Sequence, residues 1–187
     1  GNEAESFIET INLALSKNFS DDQILYFLED DYLHRPGWCD VMLEGFSLPS
    51  ADYVTLYDFD NFISSGYLTD IFVTPRSHWK PVPGTTNTFA CKYSTLKDDK
   101  NVHIKYSSTH AIKDKNVTKH SYFSKDYDKF WDLHNNHDKN VLSPIPGWST
   151  HCDNNHLSPT INWKDVASIS TINPKKQKNN FNEIRRI

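Results

Sequence analysis

The feature that most constrains the fold is a short apolar stretch that ends abruptly in acids. Gln23 to Leu28 is rich in aromatic and branched residues, and Glu29, Asp30 and Asp31 follow it directly. Such a run is typical of a buried strand, and open α/β sheets bind ligands at the carboxyl ends of their strands. Three adjacent carboxylates there need compensating charge, which a divalent cation would supply. The alternative is a solvated acidic loop without a ligand.

A second apolar run ends in the same way. Tyr53 to Tyr57 reads as a buried strand, and Asp58 and Asp60 follow it. Two strands that both finish in carboxylates at one edge of a sheet strengthen the case for a site at that edge.

The remaining patterns predict strands mixed with helices, and therefore a layered α/β domain with a mixed sheet. Helices are expected over 3–17, 37–45, 91–96 and 124–133, with Ser124 as the cap of the last one. Further strands are expected over 68–74, 85–90 and 141–145. We expect 78–84 to form a loop or an edge segment because it contains two prolines, and 97–119 to be an irregular surface segment.

Length and charge narrow the classes of function. The 187 residues suit one domain, for which we expect residues 1–172, followed by a basic, disordered tail over 173–187. Residues 1–60 hold thirteen acidic residues against Lys17 and Arg35, which argues against a nucleic-acid surface there. The three cysteines are widely spaced and indicate neither a disulfide framework nor a cysteine-rich zinc site. With no apolar run of the about 18 residues that a membrane span needs, we expect a cytoplasmic protein.

His151 is the best distant partner for the acids. It follows the stiff segment 144–150, which contains two prolines and could hold an imidazole in place. Carboxylate and imidazole together favour Mn²⁺ or Mg²⁺ over Ca²⁺. The alternative is a surface or core histidine with no ligand role. A zinc site among the histidines at 134, 137, 151 and 156 is a weaker hypothesis, because the sequence offers no clear third ligand.

Asp126 is the candidate general base. It falls in the first turn of the helix predicted over 124–133, where the helix dipole favours an ionised carboxylate. Asp128 lies about 200° further round that helix, so the two cannot face one site. A plain helix-stabilising role for Asp126 is the alternative. Aromatic residues such as Trp79 could stack on sugar rings, but they are also common core residues.

Taken in order, these landmarks resemble the GT-A type of nucleotide-sugar-dependent glycosyltransferases, in particular small bacterial-type members. The strand ending in Glu29-Asp30-Asp31 is similar to that family's acidic metal motif, and the segment 125–131 is similar to the helix start that carries the base in inverting members. Thr150-His151 matches the late histidine that often completes the metal site. Lys125 stands where the family usually has an acid.

The resemblance implies a GT-A-like three-layer domain, with a mixed central sheet flanked by helices and the first nucleotide-binding strand missing. It implies transfer of a sugar from a nucleotide diphosphate sugar, for example a UDP-linked one, to an acceptor hydroxyl of a glycan, with inversion. Asp31 and His151 would hold Mn²⁺ or Mg²⁺, Glu29 or Asp30 would contact the ribose or order water on the metal, and Asp126 would be the base. The expected residues of the sugar or acceptor pocket are Asp58, His78, Trp79 and Thr85.

Two other classes of function stay open on the sequence. A metal-dependent hydrolase would use the same acids and histidine to activate water, and would release product without any acceptor preference. A non-catalytic carbohydrate-binding domain would use the tryptophans and tyrosines, and would bind sugar without nucleotide or metal.

Overall fold

The computed structural model describes residues 3–59, 70–107 and 125–171, and within them an α/β fold. The helices are α1 (Glu3–Leu15), α2 (Trp38–Phe46), α3 (Tyr93–Ser107), α4 (Asp126–His137) and α5 (Trp163–Thr171). The strands are β1 (Ile24–Phe27), β2 (Tyr32–His34), β3 (Tyr53–Val54), β4 (Phe72–Val73), β5 (His78–Val82), β6 (Phe89–Lys92), β7 (Val141–Ile145) and β8 (Ser149–His151).

Six strands form the central sheet in the order β1-β6-β3-β7-β5-β4. β3 and β7 run parallel, whereas the other neighbouring pairs are antiparallel. The prediction of an α/β domain with a mixed sheet is therefore confirmed. β2 and β8 form a separate antiparallel ribbon, joined to the sheet by a bridge between Tyr57 and Ser149.

Side chains of successive strand residues point to opposite faces of the sheet, and each face carries a hydrophobic core. Tyr53 of β3 lies in the core that contains residues of α1, α3 and α4, and Val54 lies in the core beneath α2. Likewise, Phe89 of β6 lies in the first of these cores and Ala90 in the second. The sheet thus has helices on both faces, and α5 lies against the ribbon instead.

Two predicted segments differ from the structure. Residues 97–107 are not irregular but complete α3, whose buried residues include the polar Asp99 and His103 beside the apolar Leu96 and Val102. Residues 78–82 are not a loop but β5, which pairs with β7 along its length. Proline has no backbone N–H to donate to a neighbouring strand. Pro81 is tolerated because β4 pairs only with the first two residues of β5, so at Pro81 only β7 is paired with β5.

Other boundaries shift by a few residues. Gly37 is the N-cap of α2 at a φ of 85°, a left-handed conformation that suits glycine. The predicted cap Ser124, the acid Asp60, residues 108–119 and the tail 173–187 lie outside the described residues, as does the start of the strand predicted over 68–74. None of the described helices has the length and apolarity needed to cross a membrane.

Candidate functional site

A cleft of about 620 Å³ opens where β1 ends. It brings together five residues that the sequence singled out, although they come from three separate parts of the chain: Glu29, Asp30, Asp31, Asp126 and His151. The remaining lining comes from α1 (Ser6, Phe7, Thr10), from the end of β1 and start of β2 (Phe27, Leu28, Tyr32), and from the loop before β6 (Thr86, Asn87).

Glu29 is fixed to the sheet by a buried threonine. The Thr88 hydroxyl accepts a hydrogen bond from the Glu29 backbone N–H at 3.1 Å and donates one to Glu29 Oε2 at 3.0 Å. Because Thr88 has no exposed surface, it holds the carboxylate in one orientation at the end of β1. The β-prone pattern at 85–90 predicted a strand there but gave no sign of this contact.

Asp31 and His151 meet across the ribbon. Tyr32 pairs with His151 in the β2–β8 register, and the Cys152 N–H donates to the Asp31 carbonyl at 2.8 Å. The result is a distance of 2.9 Å between His151 Nε2 and Asp31 Oδ2. Backbone pairing thus positions the two side chains that the sequence predicted as metal ligands.

The His151–Asp31 distance fits an octahedral cation. Two neighbouring ligand atoms of an octahedral Mg²⁺ with bonds of about 2.1 Å lie about 3.0 Å apart, close to the observed 2.9 Å. The donor set of carboxylate oxygens and one imidazole also suits Mn²⁺. The residues therefore fit the predicted metal in donor type, and their spacing of 2.9 Å is also that of a direct hydrogen bond between the two side chains.

The tautomer of His151 sets one condition for that role. The Asp153 backbone N–H donates to His151 Nδ1 at 3.0 Å, so Nδ1 carries the lone pair and Nε2 carries the proton that faces Asp31. A cation at Nε2 requires this proton to move to Nδ1. The Asp153 N–H must then turn away, and cation binding is therefore coupled to a small rearrangement of the turn after β8.

Asp126 opens α4, and its side chain is 20% exposed at the wall of the cleft. One turn below it lies Lys129, which has no exposed surface. The Lys129 ammonium donates to Asn87 Oδ1 at 2.6 Å and lies 4.0 Å from Asp126 Oδ1. Three aromatic rings surround that ammonium at 4.5–5.2 Å, those of Phe7, Phe89 and Phe130. Cation–π attraction offsets part of the cost of burying it.

A smaller pocket of about 200 Å³ adjoins the cleft and shares Thr86 and Asp126 with it. Its other walls are mainly aromatic: Tyr57, Phe59, Thr85, Tyr127 and His156. Asp126 therefore faces both an acidic space and an aromatic one. Thr85, which the sequence predicted for substrate binding, lies in this smaller pocket, where its hydroxyl donates to Thr55 Oγ1 at 3.0 Å.

Three residues expected in the sugar or acceptor pocket lie elsewhere. Trp79 is fully buried in the core beneath α2 and donates from its indole N–H to Thr74 Oγ1, so its ring has no surface for a sugar. Asp58 is buried against Lys80 at 2.8 Å. His78 is exposed at the start of β5, which lies four strands away from β1 in the sheet. These three expectations are corrected accordingly.

Burial shifts the pKa of two side chains on β2, Tyr32 and His34. It raises the pKa of the Tyr32 phenol well above its usual value, so Tyr32 stays neutral and bonds to Thr86 Oγ1 at 2.9 Å. It lowers the pKa of His34 to about 4, which leaves that ring uncharged at neutral pH beside the Tyr26 hydroxyl. Neither group brings charge to the cleft at neutral pH.

The cleft is strongly acidic. Four carboxylates line it, and the described lining residues include neither lysine nor arginine. An anionic ligand would therefore be repelled unless a cation entered with it.

A search of the chain against models of protein families, against curated proteins and against solved structures finds no match.

Proposed function

We propose that this protein is a metal-dependent glycosyltransferase of GT-A type that moves a sugar from a nucleotide diphosphate sugar to an acceptor hydroxyl of a glycan. The observation that carries the proposal is the convergence of Glu29, Asp30, Asp31, Asp126 and His151 on one cleft at the end of β1. The mixed sheet with helices on both faces is compatible with an α/β fold, the class to which GT-A domains belong.

Asp31 and His151 are the proposed ligands of Mn²⁺ or Mg²⁺, because their side chains are already at the spacing of neighbouring ligands. When bound, the cation supplies positive charge to the diphosphate and to the negative charge that develops on it as it leaves. Glu29, which is fixed by Thr88, and Asp30 would contact the ribose or hold water molecules bound to the cation. The apolar end of the cleft, formed by Phe7, Phe27 and Leu28, suits the nucleoside.

Asp126 is the proposed base. An acceptor in the aromatic pocket and a donor in the cleft would both lie against its carboxylate, which lines both spaces. Asp126 stands in the first turn of α4, with its Oδ1 4.0 Å from the ammonium of Lys129. Asp126 would take the proton of the acceptor hydroxyl as that oxygen attacks the anomeric carbon.

The test is an assay of the purified chain with Mn²⁺ and a panel of nucleotide diphosphate sugars, with and without saccharide acceptors. Release of nucleoside diphosphate and formation of glycoside are both measured. Asp126→Asn is expected to lower transfer at least about 100-fold, whereas Asp128→Asn, exposed on the same helix, should leave it unchanged. Asp31→Asn should abolish it, and the exposed Asp22→Asn should not.

Each alternative function predicts a different result in this assay. Donor consumption at the same rate without any acceptor identifies a hydrolase. Sugar binding that needs neither nucleotide nor cation identifies a carbohydrate-binding domain. Full transfer by Asp126→Asn would reject the assignment of the base.

A further inference from the structure

A second group of metal-ligand side chains lies on the turn that follows β8. One ligand atom each from His151, Asp153 and His156 lies within 4.8 Å of the other two. Asp153 is the third ligand that the histidine pattern alone did not supply. We propose that these three side chains bind Zn²⁺, and that zinc bound there prevents His151 from binding a second cation together with Asp31.

The distance between the ligand atoms of His156 and Asp153 suits a shared zinc ion. His156 Nδ1 lies 3.4 Å from Asp153 Oδ2. Two ligands of a tetrahedral zinc with bonds of about 2.0–2.2 Å lie about 3.3–3.6 Å apart. Two imidazole nitrogens and one carboxylate are also a common zinc set, which leaves the fourth position to water.

The turn holds these ligands before any ion binds. The Asn155 N–H donates to Asp153 Oδ1 at 2.9 Å, which leaves Oδ2 directed at His156. That bond is also the main reason why the pKa of Asp153 lies below its usual value. The Tyr57 hydroxyl donates to the His156 carbonyl at 2.7 Å, and the buried Ser158 anchors the end of the turn to Ser149 and Thr150.

His151 cannot serve both ions at once. A neutral imidazole has a single ring nitrogen with a free lone pair, so a ring bound to zinc has no lone pair for a cation held with Asp31. His156 also lines the smaller aromatic pocket, and zinc would fix it there. Zinc should therefore inhibit transfer, because it occupies the His151 lone pair that the cation of the cleft requires. This step rests on the proposed function, but zinc binding itself does not.

The first experiment measures zinc affinity by calorimetry for the whole chain and for four variants, with circular dichroism as the check on folding. Asp153→Asn and His156→Ala should each weaken zinc binding at least about tenfold. His137→Ala, an exposed histidine on α4, is the matched control and should bind zinc normally. Asp22→Asn, at an exposed position before β1, should also keep zinc binding. Unchanged affinity in both Asp153→Asn and His156→Ala would overturn the zinc site.

The second experiment follows Mn²⁺ by electron paramagnetic resonance while zinc is added. Zinc should displace Mn²⁺ from the wild type, and at the same zinc concentration it should displace much less from His156→Ala. A wild type that holds both ions together would overturn the exclusion. A chain that binds zinc through the three residues but never binds Mn²⁺ would reject the proposed function and leave the zinc site standing.

Discussion

Lys80 and Asp58 form an ion pair inside the protein, with their charged atoms 2.8 Å apart and both side chains almost fully buried. Two charges removed from water are tolerated only when each compensates the other. Loss of one partner leaves the other charge buried, so the pair is more sensitive to substitution than a surface pair.

Lys80→Met is therefore expected to lower the free energy of unfolding by about 3–5 kcal/mol. The measurement is urea denaturation followed by circular dichroism. Lys97→Met is the control, because Lys97 pairs with Asp21 at an exposed position, where such a pair contributes about 0–1 kcal/mol. Equal losses in the two variants would show that the buried pair contributes no more than the surface one.

Gly45 makes room for the buried indole of Trp79. A methyl group added at Gly45 would lie 2.8 Å from Trp79 Cη2 and 3.1 Å from Val54 Cγ1. Trp79 is fully buried, so neither the ring nor the methyl group has space to move into.

Gly45→Ala should thus destabilise the protein by about 1–3 kcal/mol through overpacking, even though alanine is normally better than glycine within a helix by roughly 0.5–1 kcal/mol. Thermal unfolding reports the change. Gly84→Ala, whose added carbon meets nothing closer than 3.4 Å, serves as the comparison. An increase in melting temperature for Gly45→Ala would mean that helix propensity outweighs the clash.

At the scale of elements, a salt bridge joins α3 to α4. Lys105 Nζ lies 2.9 Å from Asp132 Oδ2, and the Asp132 side chain is only 8% exposed. Hydrogen bonds from Asn136 and then Lys105 lower the pKa of Asp132 to about 2. The bridge helps to fix α4, and therefore Asp126 at its start, against the rest of the helical layer.

The pH dependence of stability follows from this pKa. The folded pKa of about 2 lies below the unfolded value of about 3.9, so Asp132 stabilises the fold above pH 4 and loses that effect as the pH falls towards 2. Asp132→Asn should cost about 2 kcal/mol at pH 7, and the gap from wild type should close between pH 4 and 2 in urea titrations. Asp128→Asn is the control on the same helix. A gap that stays constant down to pH 2 would exclude this role for Asp132.

The segments that we predicted wrongly from the sequence are those whose stability depends on residues far away in the chain. The apolar strand before Glu29 was predictable, because its pattern is continuous. By contrast, α3 is rich in charged and polar residues, and it is held partly by Asp99 and His103, which both hydrogen-bond to the Tyr53 hydroxyl. The sequence of α3 does not show that the Tyr53 hydroxyl, which comes from β3, will lie beside these two residues. The polar composition of the segment therefore led us to predict an irregular structure.

In the molecule as a whole, the cleft depends on contacts between segments about 40 to 120 residues apart. The sequence identified Glu29, Asp31, Asp126 and His151 by residue type and by their place in strands and helices. It could not identify Thr88 or Lys129, because neither a threonine just before a strand nor a lysine in a helix indicates by residue type that it is buried beside a site. It also misplaced Trp79, because an aromatic residue looks the same in a core and in a sugar pocket.

The acidity of the assembled cleft predicts thermodynamic coupling between a cation and a nucleoside diphosphate. With four carboxylates and, among the described lining residues, neither lysine nor arginine, a nucleoside diphosphate alone should leave the melting temperature unchanged, whereas Mn²⁺ and the diphosphate together should raise it by more than Mn²⁺ alone. At concentrations 100-fold above the dissociation constant the gain is about 2.7 kcal/mol, or roughly 5–10 °C for a chain of this size.

Thermal unfolding with UDP or GDP, with Mn²⁺, with both, and with both plus EDTA measures this coupling. Asp31→Asn should remove the joint effect, and Asp22→Asn should retain it. Because linkage is reciprocal, the diphosphate must tighten Mn²⁺ binding by the same factor by which Mn²⁺ tightens binding of the diphosphate. Equal stabilisation by the diphosphate with and without Mn²⁺ would mean that its negative charge is compensated by protein groups outside this cleft, and the cation would then have no part in holding it.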